Sequence, residues 1–143
     1  MPFFVGNILE LPLTTTQDYS LFHILKQHSI DLWVRQITLI LEKHGLASFI
    51  LHPDYLREPL AQKTYKALLT YLGELRSEGK IWMALPQEVN QWWRQRSQMK
   101  LVRRGNGWEI EGAGKDRARI AYANLEGERV VYHLESPCVA AAG

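Results

Sequence analysis

Ala47-Ser48-Phe49-Ile50-Leu51-His52, closed by Pro53, is the run that sets the expected architecture. It is short and almost continuously apolar, which suits a β-strand covered on both faces, as in a parallel sheet. Ile81-Trp82-Met83-Ala84-Leu85 reads the same way. Between the two lies a helical pattern from Leu60 to Glu78. Its apolar face is Leu60, Tyr65, Leu68, Leu69, Leu72 and Leu75, and Gly79 ends it. Pro86 fits the first turn of a further helix running to Gln98, because its missing N–H would be unpaired there anyway. Strand, helix, strand, helix predicts an α/β fold, a partial parallel (β/α) barrel or sheet with helices on its faces.

Upstream, Phe3 to Leu13 is apolar and β-prone between Pro2 and Pro12, and is expected to be extended. Asp18 is placed to cap a helix from Tyr19 to Gln27 that carries Leu21, Phe22 and Leu25. Asp31 is placed to cap a stronger one, in which Trp33, Ile37, Ile40 and Leu41 form a buried stripe. Gly45 is expected to take the left-handed cap conformation. Downstream of Met99 the pattern changes to short β pieces at 100–103, 107–111, 117–123 and 129–134. Gly105-Asn106-Gly107, Gly112-Ala113-Gly114 and Glu126-Gly127 separate them as turn signals. The expected organisation is therefore an α/β part over 1–98, a small antiparallel β appendage over 99–135 and a loose tail over 136–143.

The chain has 143 residues, 46% of them hydrophobic and 22% charged, enough to bury a core without disulfides or a structural metal. Its one cysteine, Cys138, excludes a disulfide framework within the chain. No signal-peptide pattern and no run of about 18 apolar residues occurs, so no membrane span is expected and a cytoplasmic location is the default. The net charge of +2 does not by itself indicate nucleic acid. Residues 1–79 hold 7 basic and 8 acidic residues, against 10 and 7 in residues 80–143.

His52 is the residue best placed for chemistry. Ligands in parallel α/β folds bind beyond the carboxyl ends of strands. Imidazoles titrate near neutrality and serve as general acids or bases. Asp54, two residues on, could orient the ring. The other reading is an ordinary hydrogen-bonded histidine at a strand end, with Pro53-Asp54 making the turn. His23, His28 and His44 are isolated, and Cys138 has no partner that would activate it. Trp92-Trp93-Arg94-Gln95-Arg96 begins a second feature, with five basic residues among the eleven from Arg94 to Arg104 and no acid. Trp92, Arg94 and Arg96 are candidates for substrate contact, since aromatics stack on sugar faces or bases and Arg binds carboxylate or phosphate. The competing reading packs Val89, Trp92 and Trp93 as core behind a solvated basic rim.

Leu11-Pro12-Leu13-Thr14-Thr15-Thr16-Gln17-Asp18-Tyr19, Leu32-Trp33, His44-Gly45 and His52-Pro53-Asp54-Tyr55 together resemble the last part of bacterial polysaccharide-deacetylase-like proteins. So do Gly79-Lys80-Ile81-Trp82-Met83-Ala84-Leu85-Pro86 and Val89-Asn90-Gln91-Trp92-Trp93-Arg94. The resemblance spans roughly residues 9–98. It implies an irregular barrel of parallel strands. It also implies a divalent metal, zinc or cobalt, held by an Asp and two His, with a second Asp as base and a late His as general acid. His52 matches that late His. No Thr-Phe-Asp-Asp-like segment and no His-x-x-x-His pair is present, motifs that lie upstream in the family. The expectation is a C-terminal segment of a carbohydrate-active deacetylase-like protein, supplying the acid but no metal site and inactive alone. The alternative is a stand-alone, non-catalytic module that binds glycan or another protein. Expected partners are a polysaccharide and either the missing barrel half or a second copy of the chain. Nucleic acid binding through Arg94 to Arg104 is a weaker third idea.

Overall fold

A computed structural model describes residues Met1–Leu134, so the tail and Cys138 lie outside the described residues. The chain is a small α+β fold made of two compact units, one spanning Met1–Ala84 and the other beginning at Leu85.

In the first unit, β1 (Phe3–Val5) and β2 (Ile8–Glu10) form a short antiparallel hairpin. A π-helical turn over Ser20–Ile24 stands where a longer helix from Tyr19 was expected, and it buries Leu21 and Phe22. Helix α1 (Asp31–Glu42) and helix α2 (Pro59–Ser77) follow. The core gathers Leu21, Phe22, Trp33, Ile37, Ala61, Leu68 and Leu75, so one face of each helix meets the π-turn. Trp33 anchors it. Its ring is fully buried and its Nε1–H donates to the Thr16 carbonyl at 2.6 Å, which satisfies the one polar atom the indole carries inside.

The end of α1 departs from expectation in an informative way. His44, not Gly45, adopts the left-handed conformation, with φ of 49°. Gly45 donates its N–H back to Ile40 at 2.9 Å, and a Cβ on it would approach Ile40 Cγ2 to 3.1 Å. The glycine thus serves close approach, while a histidine carries the strained dihedral. At the end of α2, Gly79 does take the left-handed conformation, and Lys80 donates to Leu75 at 2.9 Å. The Lys80 ammonium, hydrogen-bonded to Glu78 at 2.7 Å, is held above the usual lysine pKa by that bond and by the carboxylate charge.

The expected parallel sheet or barrel is corrected. All the sheets among the described residues are two-stranded and antiparallel. Residues 46–52 have no regular secondary structure and pair with no strand. The hydrogen bonds a neighbouring strand would supply come largely from side chains of the segment 14–18. Thr14 Oγ1 donates to the Leu46 carbonyl at 2.7 Å and accepts the Ser48 N–H at 2.9 Å. Thr15 Oγ1 donates to the Ser48 carbonyl at 2.7 Å, and Asp18 accepts from the His52 N–H. Backbone groups need partners, not necessarily a ladder, and three short polar side chains meet that need here. Residues 81–85 also form no strand. Ile81 packs against the core, but Trp82, Met83 and Leu85 are exposed, so the run is not covered on both faces.

The second unit consists of helix α3 (Pro86–Gln98) and two hairpins. The Glu88 carboxylate accepts the Leu85 N–H at 2.6 Å, closing the helix start. Strand β3 (Lys100–Arg104) pairs with β4 (Gly107–Glu111), and β5 (Ala121–Glu126) with β6 (Arg129–Leu134). Ile120 is the buried apolar side chain of this unit among the described residues.

Candidate active site

The lacing of 14–18 to 46–52 ends in a buried acid and a half-exposed histidine. Asp18 is 0% exposed. Its Oδ1 lies 2.7 Å from His52 Nδ1, and it also accepts the Tyr19 N–H at 2.7 Å. Its Oδ2 accepts the His52 N–H. The Asp18 N–H in turn donates to the Ile50 carbonyl at 3.4 Å, so the residue is fixed at both ends. No buried side-chain polar atom among the described residues lacks a partner. A carboxylate only accepts, so the proton between the two groups belongs to Nδ1. That assigns the neutral ring its tautomer. It leaves Nε2, on the far side of the ring, without a hydrogen-bond partner among the described residues. The His52 side chain is 41% exposed.

Two short turns bring aromatic rings around this imidazole. Tyr55 follows in a 3-10 turn over Tyr55–Arg57, started when its N–H donates to the His52 carbonyl at 3.0 Å. Its ring centroid lies 5.0 Å from that of His52 and 4.8 Å from that of His23. Tyr19 lies 5.4 Å from His23 and 5.7 Å from Tyr55. Tyr19 and His23 are exposed and Tyr55 is half-buried. The result is a rim of aromatic and imidazole rings beside a histidine oriented by a buried acid. Such a group can give or take a proton at Nε2 while ring faces hold a ligand.

His52 is at this site. Asp54 is exposed at the start of the 3-10 turn, and the carboxylate on His52 belongs to Asp18, 34 residues earlier. Sequence reasoning placed Asp18 as a helix cap. The available signal was a carboxylate next to Tyr19 in the same resembling run, but spacing alone does not link it to His52. Trp92, Arg94 and Arg96 belong to the second unit. Trp92 and Trp93 are half-buried, with the Arg117 guanidinium 4.5 Å over one ring and that of Arg96 4.7 Å over the other. Arg94 donates from Nε to Asn90 Oδ1 at 2.9 Å. His28 stacks on Phe22 at 5.4 Å, and His133 meets Glu126 at 3.2 Å on an exposed hairpin.

The metal implied by the resemblance does not fit these residues. Both Asp18 oxygens are already occupied by N–H donors, and no group of three His, Cys, Asp or Glu among the described residues is placed to hold an ion. No helix is long and apolar enough to cross a membrane among those residues. Comparison of the chain with family models, curated proteins and solved structures finds no match.

Proposed function

We propose that the first unit carries the proton-donating part of a carbohydrate-deacetylase-type site, with His52 as general acid and Asp18 as its positioning residue. The observation that carries this reading is the 2.7 Å bond between fully buried Asp18 and His52 Nδ1. A buried carboxylate without partners would be costly, whereas one that fixes an imidazole tautomer and steadies its cation has a chemical use. In deacetylation the acetyl carbon–nitrogen or carbon–oxygen bond breaks, and the departing amine or alcohol needs a proton. In its cationic form His52 carries a proton on both ring nitrogens; Nε2–H gives its proton to the departing group, and the ring returns to the neutral Nδ1–H form beside Asp18. Tyr19, His23 and Tyr55 offer the ring faces against which a sugar unit is held beside that proton.

The resemblance to polysaccharide-deacetylase-like proteins supports the substrate class, an N- or O-acetylated polysaccharide. A water-activating metal would have to be held by residues other than those described. The chain alone is accordingly expected to release no acetate from chitin oligosaccharides or acetylated xylan, with or without added zinc or cobalt. Metal-dependent release that disappears in His52→Ala would overturn that part of the reading.

Binding is tested separately by titrating the chain with N-acetylchitotetraose and following ring proton signals by NMR. Shifts centred on His52, Tyr55 and Tyr19 are expected. Shifts confined to other residues, or none at millimolar sugar, would refute the site.

The alternative, a non-catalytic interaction module, is favoured by one observation: Phe3, Val5, Ile8 and Trp82 are all at least half exposed. Apolar side chains presented on a hairpin and on an unpaired segment are features of surfaces that meet another protein.

A further inference from the structure

Strands β5 and β6 run for six residues on each side of the Gly127-Glu128 turn. Directly opposed residues share a face, and successive residues alternate between faces. Tyr122 with His133, Asn124 with Val131 and Glu126 with Arg129 therefore make one face. Its charges are met within the hairpin, where Glu126 Oε1 lies 3.2 Å from His133 Nε2 and Glu126 stands opposite Arg129. The other face consists of Ala121 with Leu134, Ala123 with Tyr132 and Leu125 with Val130, and carries no charge. The hairpins β1–β2 and β3–β4 differ. Glu10 shares a face with Phe3, Val5 and Ile8, and Arg103 shares one with Leu101, Trp108 and Ile110.

The apolar face of β5–β6 is bare. Leu125 is 73% exposed, Tyr132 68%, Val130 57% and Leu134 49%, and both alanines are exposed. A two-stranded hairpin alone in water is marginal, and a further strand or layer normally supports it. The face also has relief. Ala121 and Ala123 on β5 stand opposite Leu134 and Tyr132 on β6, so one half is low and the other high. A flat apolar surface laid on such a step leaves gaps, and atoms that line a gap lose their dispersion contacts. The surface that fits has the same step reversed.

We infer that this face packs against the same face of a second copy of the chain, about a two-fold axis parallel to the strands. Rotation about that axis lays β6 of one copy over β5 of the other without any shift along the strands. Leu134 then meets Ala121 of the second copy, Tyr132 meets Ala123, and Leu125 meets Val130. Each high position covers a low one, and the contact is isologous, so it closes as a dimer. Sheets stacked face to face sit about 10 Å apart, which leaves room for side chains to interleave. An uncharged face opposes no like charges when it meets itself. Being only two strands wide, it is smaller than the roughly 800 Å² per partner of a standard interface, so the dimer is weak. The inference uses the second unit alone and is independent of the Asp18–His52 reading.

Sedimentation equilibrium of the full chain from about 10 µM to about 1 mM tests it, the range in which so small an interface associates. A monomer–dimer equilibrium is expected. Ala123→Tyr, which fills the low half, should weaken it at least about tenfold. Adding Tyr132→Ala to that variant exchanges the high and low positions and should restore the dimer. Asn124→Tyr, on the opposite face, should change nothing. The restored dimer also separates a lost contact from a lost hairpin, because only matched relief brings association back. The inference fails if the parent chain is monomeric throughout, as it would be if residues 135–143 covered the face. It fails equally if Ala123→Tyr associates like the parent chain, which would place the contact at the strand edges or in the first unit. Failure of Tyr132→Ala to rescue Ala123→Tyr, or a loss in Asn124→Tyr as large as that in Ala123→Tyr, would also overturn it.

Discussion

Replacing Asp18 by Asn changes almost no volume but alters every hydrogen bond the side chain makes. The carboxylate accepts from the Tyr19 N–H and His52 Nδ1 on one oxygen and from the His52 N–H on the other. An amide offers one acceptor and one donor group. If its NH2 takes the place of Oδ2, it faces the His52 N–H. If it takes the place of Oδ1, the imidazole can switch tautomer, but the Tyr19 N–H still meets a donor. One backbone N–H is left without a partner in either orientation, at a site that is 0% exposed. An unsatisfied buried donor costs about 1–3 kcal/mol, and the lost charge-assisted bonds add to it, so Asp18→Asn should cost about 2–4 kcal/mol. His52→Ala keeps the Tyr19 N–H on the carboxylate and opens it to water, so it should cost only about 1–2 kcal/mol. Urea denaturation of both variants and of the double variant measures the costs and their coupling. Asp18→Asn within about 0.5 kcal/mol of the parent chain, or a His52→Ala cost exceeding it, would refute the buried pairing, since errors on such differences are of that size.

Further outcomes follow from other parts of the first unit. Thr15→Val should destabilise by about 1–2 kcal/mol, because Thr15 is 5% exposed and its hydroxyl serves the Ser48 carbonyl. Thr15→Ser should recover most of that loss in the same denaturation assay, and an equal loss would make the effect one of packing. His44→Gly should raise stability by about 0.5–1 kcal/mol, since the left-handed conformation strains a residue with a Cβ. A lowered thermal midpoint would show that the histidine ring contributes something that outweighs the strain. Light scattering over a concentration series should show dimer forming through the exposed apolar residues of 3–8 and 81–85, and a strictly monomeric particle would contradict it.

The helices could be read from the sequence because their information is local. The spacing of Trp33 and Ile37, or of Leu68 and Leu75, needs only a period to predict a buried face, and those residues are core. The glycine-marked turns after Met99 are equally local, and hairpins stand at Gly105 and Gly127 with positive φ at both. The parallel sheet failed because it rested on an inference about neighbours. An apolar run such as 47–51 has the composition of a covered strand, and nothing within it shows whether a ladder or the hydroxyls of Thr14 and Thr15 will satisfy its backbone. The same limit hid half of the site. His52 was visible by its position before Pro53, while its carboxylate partner lies 34 residues earlier and is brought to it by the very lacing that replaced the strand pairing. Asp54 was the nearer carboxylate in sequence and faces solvent.

The central claim is that Asp18 holds the proton of His52 on Nδ1 and leaves Nε2 for a ligand. Nitrogen-15 NMR of the labelled chain, correlating each ring nitrogen of His52 with its carbon-bound protons above the titration range, reads this directly. The account predicts a pyrrole-type Nδ1 and a pyridine-type Nε2 in the neutral ring, with the preference lost in Asp18→Ala, which removes the acceptor. It also predicts that N-acetylchitotetraose perturbs Nε2 more than Nδ1. A neutral ring protonated on Nε2, or a tautomer unchanged by Asp18→Ala, would contradict it.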